Sequence, residues 1–516
     1  MRILNKFLNF ITSRLFMIAV LLLLQLGVYV ALVFYLNKYV IYIQILSWIL
    51  SIILLLYVVG KPTSPSAKIP WIMVFCSMPI LGVPLYLLCG SRDVHIRYRR
   101  SLKQSLSQSA KLHVQDEEVA KKLKSENLLR YREADYIFKA TKMPVHQNTR
   151  VQYFPIGEAV WEEMLKQLKK AKHFIFMEFF IVEEGLMWNS ILEVLKQKVQ
   201  EGVEVRVMYD DIGCLKTLPN RYENTLRSYG IDCLVFNPFS ALLTVGHNYR
   251  DHRKVCIIDG YIGFTGGFNL ADEYINHKER FGHWKDSGIM LEGEGVWNQT
   301  ISFLENWDFT KKVKSDFSKY TPFIYHPEPF HFDSKGYVQP YADNPLDSEL
   351  VGESVYMNVI NHASKYLYIA TPYLIIDHEM VQSLCLAAKK GVDVRIITPG
   401  IPDKWYVYLM TRAYYRELIE AGVRIFEYTP GFIHAKNCLS DDEIAICGTI
   451  NFDYRSLYHH FECACWMYKG EVVSQMNEDF TKTFDVCREV TLEWCKNRPL
   501  IARAIQSIMR VFSPLM

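Results

Sequence analysis

The sequence predicts an α/β protein built from two similar α/β/α halves behind an α-helical membrane anchor. Three observations predict it. Long uncharged apolar runs are confined to the first 90 residues. Strand-type and helix-type segments alternate in two matched series along the rest of the chain. Each series ends in the same histidine, lysine and aspartate spacing.

At 516 residues the chain exceeds an ordinary single domain, and half of its residues are apolar. The net charge of +3 conceals an asymmetry: residues 1–100 hold ten Lys/Arg and one acid, Asp93, whereas the remainder is mildly acidic. An apolar, basic N-terminus on an acidic body suggests an anchor plus a globular part, and argues against a nucleic-acid binder. The twelve cysteines show no C-x2-C or other metal-type spacing, and a chain this long needs no disulfide framework.

The anchor is assigned to residues 1–92. Leu15–Leu36 and Tyr39–Gly60 are each uncharged and long enough, at about 1.5 Å per residue, to cross a hydrocarbon core of about 30 Å. A signal peptide fits poorly, because the first run is too long and a second follows at once. The third run, Ile69–Gly90, contains Pro70, Pro79, Pro84 and Gly82, which oppose a straight span and favour a re-entrant or interfacial hairpin. Arg2, Lys6 and Arg14 precede the first span. Lys61 and Lys68 follow the second, and Arg92, Arg97, Arg99 and Arg100 follow the third run; only Lys38 lies between the spans. The positive-inside rule therefore places both termini and the body in the cytoplasm. Residues 93–145 are charged and helix-prone, a linker or docking helix.

The body repeats itself, with the halves bounded at 146–323 and 324–516. Phe174–Ile181 matches Leu367–Leu374 as a buried strand, and a helical pattern follows each, with Ile191, Leu192, Leu195 and Val199 forming the apolar stripe in the first half. Then come the near-identical strands Gly202–Val207 and Gly391–Ile396, another helix, and the strands Ile231–Phe236 and Val423–Tyr428. Each half reads β-α-β-α-β, which implies a sheet covered on both faces. The first half carries about ten extra residues before its histidine, among them Phe239, Ala241, Leu242, Leu243 and Val245. That apolar loop is suited either to lipid chains or to the core.

The chemistry lies in the two matched motifs. His252-Arg-Lys254 is followed by Asp259, and His434-Ala-Lys436 by Asp441, both as H-x-K-x4-D. In an extended strand residues two apart share a face, so each motif sets an imidazole beside an ammonium. Each histidine is followed 17 positions later by an asparagine, Asn269 or Asn451, after a small-residue turn. One such triplet is weak evidence; two, at equivalent places in a duplicated fold, are not an accident of composition.

On these motifs, with Gly266-Gly-Phe-Asn269, Asn451-Phe-Asp-Tyr-Arg-Ser456, Phe461-Glu462 and Phe512-Ser-Pro-Leu515, the chain resembles the phospholipase D superfamily. Within it the chain is most similar to bacterial cardiolipin synthases, a likeness that extends to Trp71, Pro79, Gly82, Leu85–Leu88 and Gly90. The resemblance implies two phospholipase-D-like repeats facing each other, with both histidines in one catalytic site. It implies His252 as nucleophile and His434 as acid/base, with Lys254, Lys436, Asn269 and Asn451 binding the substrate phosphate. Asp286 and Glu462 are the candidates for fixing the histidine tautomers, with Glu178 and Thr449 as further supports. Asp259 and Asp441 belong to the catalytic motifs, although they end their strands and suit a structural role equally. Where many superfamily members place Ser or Thr two before the asparagine, this chain has Gly267 in the first half and Thr449 in the second.

The activity so implied is phosphatidyl transfer between two phosphatidylglycerol molecules at a bacterial cytoplasmic membrane, giving cardiolipin and glycerol with no cofactor and no metal. The partners are phosphatidylglycerol and membrane lipids, not nucleic acid. Alternatives are another phospholipase-D-type phosphatidyltransferase or hydrolase, a nuclease more distantly, and an inactive membrane scaffold. The segment Leu500–Met516, with Ile501, Ile505, Ile508, Val511 and Phe512 beside Arg503 and Arg510, reads as an amphipathic tail for the bilayer surface or for docking on the body.

Overall fold

The computed structural model describes residues 40–61, 65–89, 96–238, 249–326, 336–347 and 349–515, with isolated positions before residue 40 and at 332 and 334. The predicted span Leu15–Leu36 and the apolar loop at 239–245 lie outside the described residues. The chain divides into two compact units, residues 1–95 with 238–248 and Leu515, and the remainder.

In the first unit Val40–Gly60 is one helix of 21 residues without a charge. Among the described residues no helix is long and apolar enough to cross a membrane; within Val40–Gly60 the unbroken stretch with described side chains is residues 44–60. The proline-rich run forms two helices, Pro65–Ser77 and Pro79–Cys89, each with an internal proline, Pro70 and Pro84. The chain folds back between them. Tyr86 packs edge-on against Trp71 at 5.1 Å and Phe75 at 5.4 Å. Gly82 permits that approach, since a Cβ there would lie 3.2 Å from Phe75.

The second unit holds both repeats. The first sheet has the order 149–154, 288–293, 262–266, 254–258, 174–179, 204–210, 232–236. The second has the same order of equivalents, 337–343, 460–468, 444–448, 437–440, 366–370, 393–399, 424–428, with 487–490 added at the edge. The three strands of each β-α-β-α-β series pair in parallel, and the motif strands 254–258 and 437–440 join them antiparallel. Continuous burial of Phe174–Phe179 reflects a sheet covered on both faces.

The segment read as a linker or docking helix is packed. Its helices are Ile96–Ser109, Glu117–Glu126 and Leu128–Thr141. Ser105 Oγ donates to the Glu305 carbonyl at 2.9 Å. Leu123, Ala134 and Ile137 belong to the second half's core. Amphipathic helices of this length gain stability by burying their apolar stripe, so a free linker is the poorer state.

Asp259 and Asp441 stand at the far ends of their motif strands with left-handed backbones, φ 54° and 59°. Each caps the start of the neighbouring strand of its own half. Asp259 accepts from the backbone N–H groups of Lys172, His173 and Phe174 at 2.8–2.9 Å, and Asp441 from those of Ser364, Lys365 and Tyr366 at 2.7–2.9 Å. Asp259→Ala should cost about 2–4 kcal/mol through three lost charge-assisted hydrogen bonds. The expected result is a lower melting temperature with near-normal turnover per folded molecule below it. Complete loss of turnover in fully folded Asp259→Ala protein would overturn this anchoring role.

Candidate active site

Each histidine lies where its chain leaves one half for the other. Arg250–Asp251 pairs in parallel with His460–Phe461 of the second half, and Gly431–Ile433 pairs in parallel with His283–Lys285 of the first. The chain then crosses back to its own sheet at Lys254 and Asn437. His252 and His434 therefore sit in the crossovers, just outside the strands expected to carry them. Their backbones are held alike, with His252 N–H donating to the Phe461 carbonyl at 2.9 Å and His434 N–H to that of Lys285 at 2.7 Å.

The residue after each of those acceptors is a buried carboxylate, and it orients the opposite half's histidine. His252 Nδ1 lies 2.9 and 3.0 Å from the two oxygens of Glu462. His434 Nδ1 lies 2.7 Å from Asp286 Oδ2. With the proton on Nδ1 each ring donates to its carboxylate and turns Nε2 outward as a free base. Glu462 and Asp286 are completely buried, so each needs such a partner. Thr449 Oγ1 donates to Glu462 as well.

The lysines lie beside their histidines. Lys254 Nζ donates to the His252 carbonyl at 2.6 Å. Lys436 Nζ donates to the His434 carbonyl and lies 2.8 Å from His434 Nδ1. Burial, then the charges of Lys254 and Lys436, hold His252 well below the ordinary imidazole range. Burial and Lys436 lower His434 to about 4, against the pull of Asp286. Burial lowers Lys254 to about 8 and Lys436 to about 7. At neutral pH both rings are thus neutral, and a bound anion would restore the proton affinity of the two lysines.

The missing hydroxyl at Gly267 has a steric reason. A Cβ there would fall 2.1 Å from Asp286 Oδ1 and 2.7 Å from the His434 carbonyl oxygen. Where Glu462 takes the Thr449 hydroxyl, Asp286 Oδ1 takes the Ser287 backbone N–H at 2.8 Å.

The remaining sequence candidates divide. Asn269 donates to Tyr274 OH at 2.7 Å, and the Tyr274 ring lies 5.5 Å from that of His434. Asn451 donates to Asp453 at 3.1 Å, and its side-chain Oδ1 has no hydrogen-bond partner among the described residues. Glu178 accepts from Asn306 at 2.6 Å and lies 3.8 Å from Arg253, in a buried charged cluster with Asp251. It faces that core network, and its hydrogen bond is not to either histidine. The carboxylates of Asp259 and Asp441 are spent on backbone N–H groups and do not join the histidines.

Sequence reasoning passed over His460. It is buried, its ring lies 5.3 Å from that of His252, and its Nδ1 is 3.6 Å from Glu462 Oε1. It lies outside the repeated motif, and only its position two before Glu462 on a strand hinted at it. With His252 and Glu462 it forms, among the described residues, one group whose ligand-type atoms lie within 4.8 Å of one another. A metal there would share Glu462, the carboxylate that orients His252.

Two halves, each giving a histidine and a lysine to one site and a carboxylate to its neighbour, define the phospholipase D class. Comparison with known proteins narrows it. The family model "Cardiolipin synthase, PLD-like domain" matches residues 164–289 and 356–484, and "Phospholipase_D-nuclease N-terminal" matches 49–90. A cardiolipin synthase of Alkalihalophilus pseudofirmus is 33% identical, over 88% of this chain and 89% of that protein. One from Halalkalibacterium halodurans is 31% identical over 98% of this chain and all of that protein. An uncharacterized protein of Streptococcus mutans is 46% identical over 89% of this chain and 99% of its own length. Among solved structures, phosphatidylserine synthase of Haemophilus influenzae shares the fold, with a TM-score of 0.55 and 14% identity over 74% of this chain and 98% of that one. The chain belongs to the cardiolipin synthase family of phospholipase-D-like proteins.

Two outcomes follow from this geometry. Gly267→Thr should displace Asp286 and lower kcat about 100-fold, as loss of alignment near 1 Å does; near-normal kcat would mean that Asp286 does not orient His434. Inorganic phosphate should take up protons on binding at pH 8, because the anion raises the two lysines above their depressed values, and its affinity should fall as pH rises past about 8. Calorimetry in buffers of different ionisation enthalpy measures the uptake; proton release would contradict the assignment.

Proposed function

We propose that the chain is a cardiolipin synthase that moves a phosphatidyl group from one phosphatidylglycerol to the glycerol hydroxyl of another, releasing glycerol. The observation that carries this reading is the reciprocal pairing of His252 with Glu462 and His434 with Asp286, two bases oriented alike from opposite halves.

His252 Nε2 attacks phosphorus, forming the N–P bond. The P–O bond to the glycerol headgroup breaks, and His434 gives that alkoxide its proton. A second phosphatidylglycerol then yields its hydroxyl proton to His434, its oxygen attacks phosphorus, and the N–P bond breaks. Cardiolipin results and His252 is restored. The covalent step divides one difficult displacement into two easier ones. Lys254 and Lys436 offset charge on the phosphoryl oxygens as it develops, with Asn269 and Asn451 as further donors. That charge also favours protonated His434, countering the burial that holds the free ring near 4. Neutral His252 suits the nucleophile, and Glu462 fixes its tautomer.

Two lipid substrates call for a membrane-held body. The uncharged run Tyr39–Gly60, helical over Val40–Gly60, is the segment that would hold it there, and the Lys/Arg bias around the apolar runs favours a multi-pass anchor with the catalytic body on the cytoplasmic side.

The test is purified full-length protein in phosphatidylglycerol liposomes, scored for cardiolipin and free glycerol in equal amounts. His252→Ala should lower turnover at least 1,000-fold, in line with losing a covalent nucleophile. Phosphatidic acid with glycerol but no cardiolipin would instead make the chain a hydrolase, and full activity in His252→Ala would remove the nucleophile assignment.

A further inference from the structure

The C-terminal helix, Leu500–Phe512, docks on the body by a mixed face on which Met509 packs against the second half's core. Gln506 is buried and its amide donates to the Leu409 carbonyl at 3.2 Å. Arg510 donates to Glu417 at 2.6 Å, and Ser513, just beyond the helix, meets Tyr414 OH at 3.4 Å. The apolar stripe points the other way. Leu500 is 78% exposed, Ile501 76%, Ile508 61% and Ile505 41%. The spacing 500, 501, 505, 508 defines one helical face. A surface helix ordinarily turns such a face inward, so this stripe is arranged for something outside the fold.

Its position points to the occupant. Gln506 meets Leu409, and Ser513 meets Tyr414, so the helix runs parallel to Trp405–Glu420 and Leu500 lies toward the Trp405 end. Trp405 is 73% exposed and Tyr406 is exposed beside it. One residue earlier, Lys404 Nζ sits 5.6 Å from the Tyr373 ring, which lies 6.4 Å from Phe432, itself 5.8 Å from the His434 ring. The Lys404 charge is felt at His252. Trp405 and Tyr406 therefore stand on the side of the body from which Lys404, Tyr373 and Phe432 lead to His434. Leu500–Phe512 contains no acid, and of its two cations Arg503 is exposed whereas Arg510 is paired with Glu417. An aliphatic stripe with tryptophan, tyrosine and cations at its margin matches a bilayer interface carrying anionic headgroups.

We propose that the outward face of Leu500, Ile501, Ile505 and Ile508, with Trp405 and Tyr406, lies on an anionic bilayer and holds the mouth of the histidine site at headgroup level. The inference rests on the cardiolipin synthase reading for its choice of substrate, but its contact is read independently of turnover.

The full chain carrying Ile501→p-benzoylphenylalanine is reconstituted in phosphatidylglycerol–phosphatidylcholine liposomes and irradiated. The expected product is an adduct to a lipid acyl chain. A dominant adduct to a second copy of the chain, or none to lipid, overturns the proposal. In parallel, Leu500→Ser, Ile501→Ser and Ile508→Ser are combined in one variant. The rate on bilayer phosphatidylglycerol should fall about tenfold or more, while the rate on dispersed short-chain phosphatidylglycerol stays within twofold of wild type. Equal loss on both substrates overturns the docking role. Failure of wild-type protein on both substrates would sink the activity reading, with the adduct still deciding the docking.

Discussion

Everything in the catalytic body depends on an exchange between its halves: each histidine receives its carboxylate from the other repeat. A buried carboxylate is costly unless it is paired and hydrogen-bonded. Asp286 and Glu462 are both fully buried, so the fold is held to the arrangement in which an imidazole meets each of them. The short crossover strands at Arg250–Asp251 and Gly431–Ile433 bring this about by pairing with the segment that leads into the opposite carboxylate. Stability and catalytic geometry thus rest on one set of contacts.

The same burial sets the electrostatics. Two lysines with depressed proton affinity, at about 8 and about 7, and two neutral imidazoles form a site that is incomplete without an anion. A phosphodiester supplies the missing charge, and water-exposed alternatives would not have lowered the lysines. The histidines contribute to stability in a direction fixed by their shift. His434 lies near 4 when folded and near its ordinary value when unfolded, so the unfolded chain binds more protons between those limits. Stability is therefore full above the ordinary imidazole pKa and is lost as pH falls toward 4.

Much of this was legible in the sequence because duplication doubles every signal. Strands 174–179 and 366–370, the glycine-led strands after them and the paired motifs are each visible twice, and the sheet orders agree. Asp286 and Glu462 were legible by family position. What was not legible depends on contacts between the halves. Nothing local says that Arg250–Asp251 will pair with His460–Phe461, so His460 went unnoticed. The absence of a hydroxyl at Gly267 looked like a missing donor, whereas the space there belongs to Asp286. Glu178 and the helices of 96–141 were ambiguous for the same reason, since their partners lie far away in the chain. The C-terminal helix showed its amphipathic pattern plainly, but not which face would meet the body.

The most direct measurement is rapid-quench trapping on the full chain with phosphatidylglycerol labelled at phosphorus, followed by peptide mapping under alkaline conditions that preserve phosphoramidates. The account predicts label on the peptide containing His252 and none on that containing His434. Label on His434, or turnover to cardiolipin with no labelled histidine at all, would contradict it.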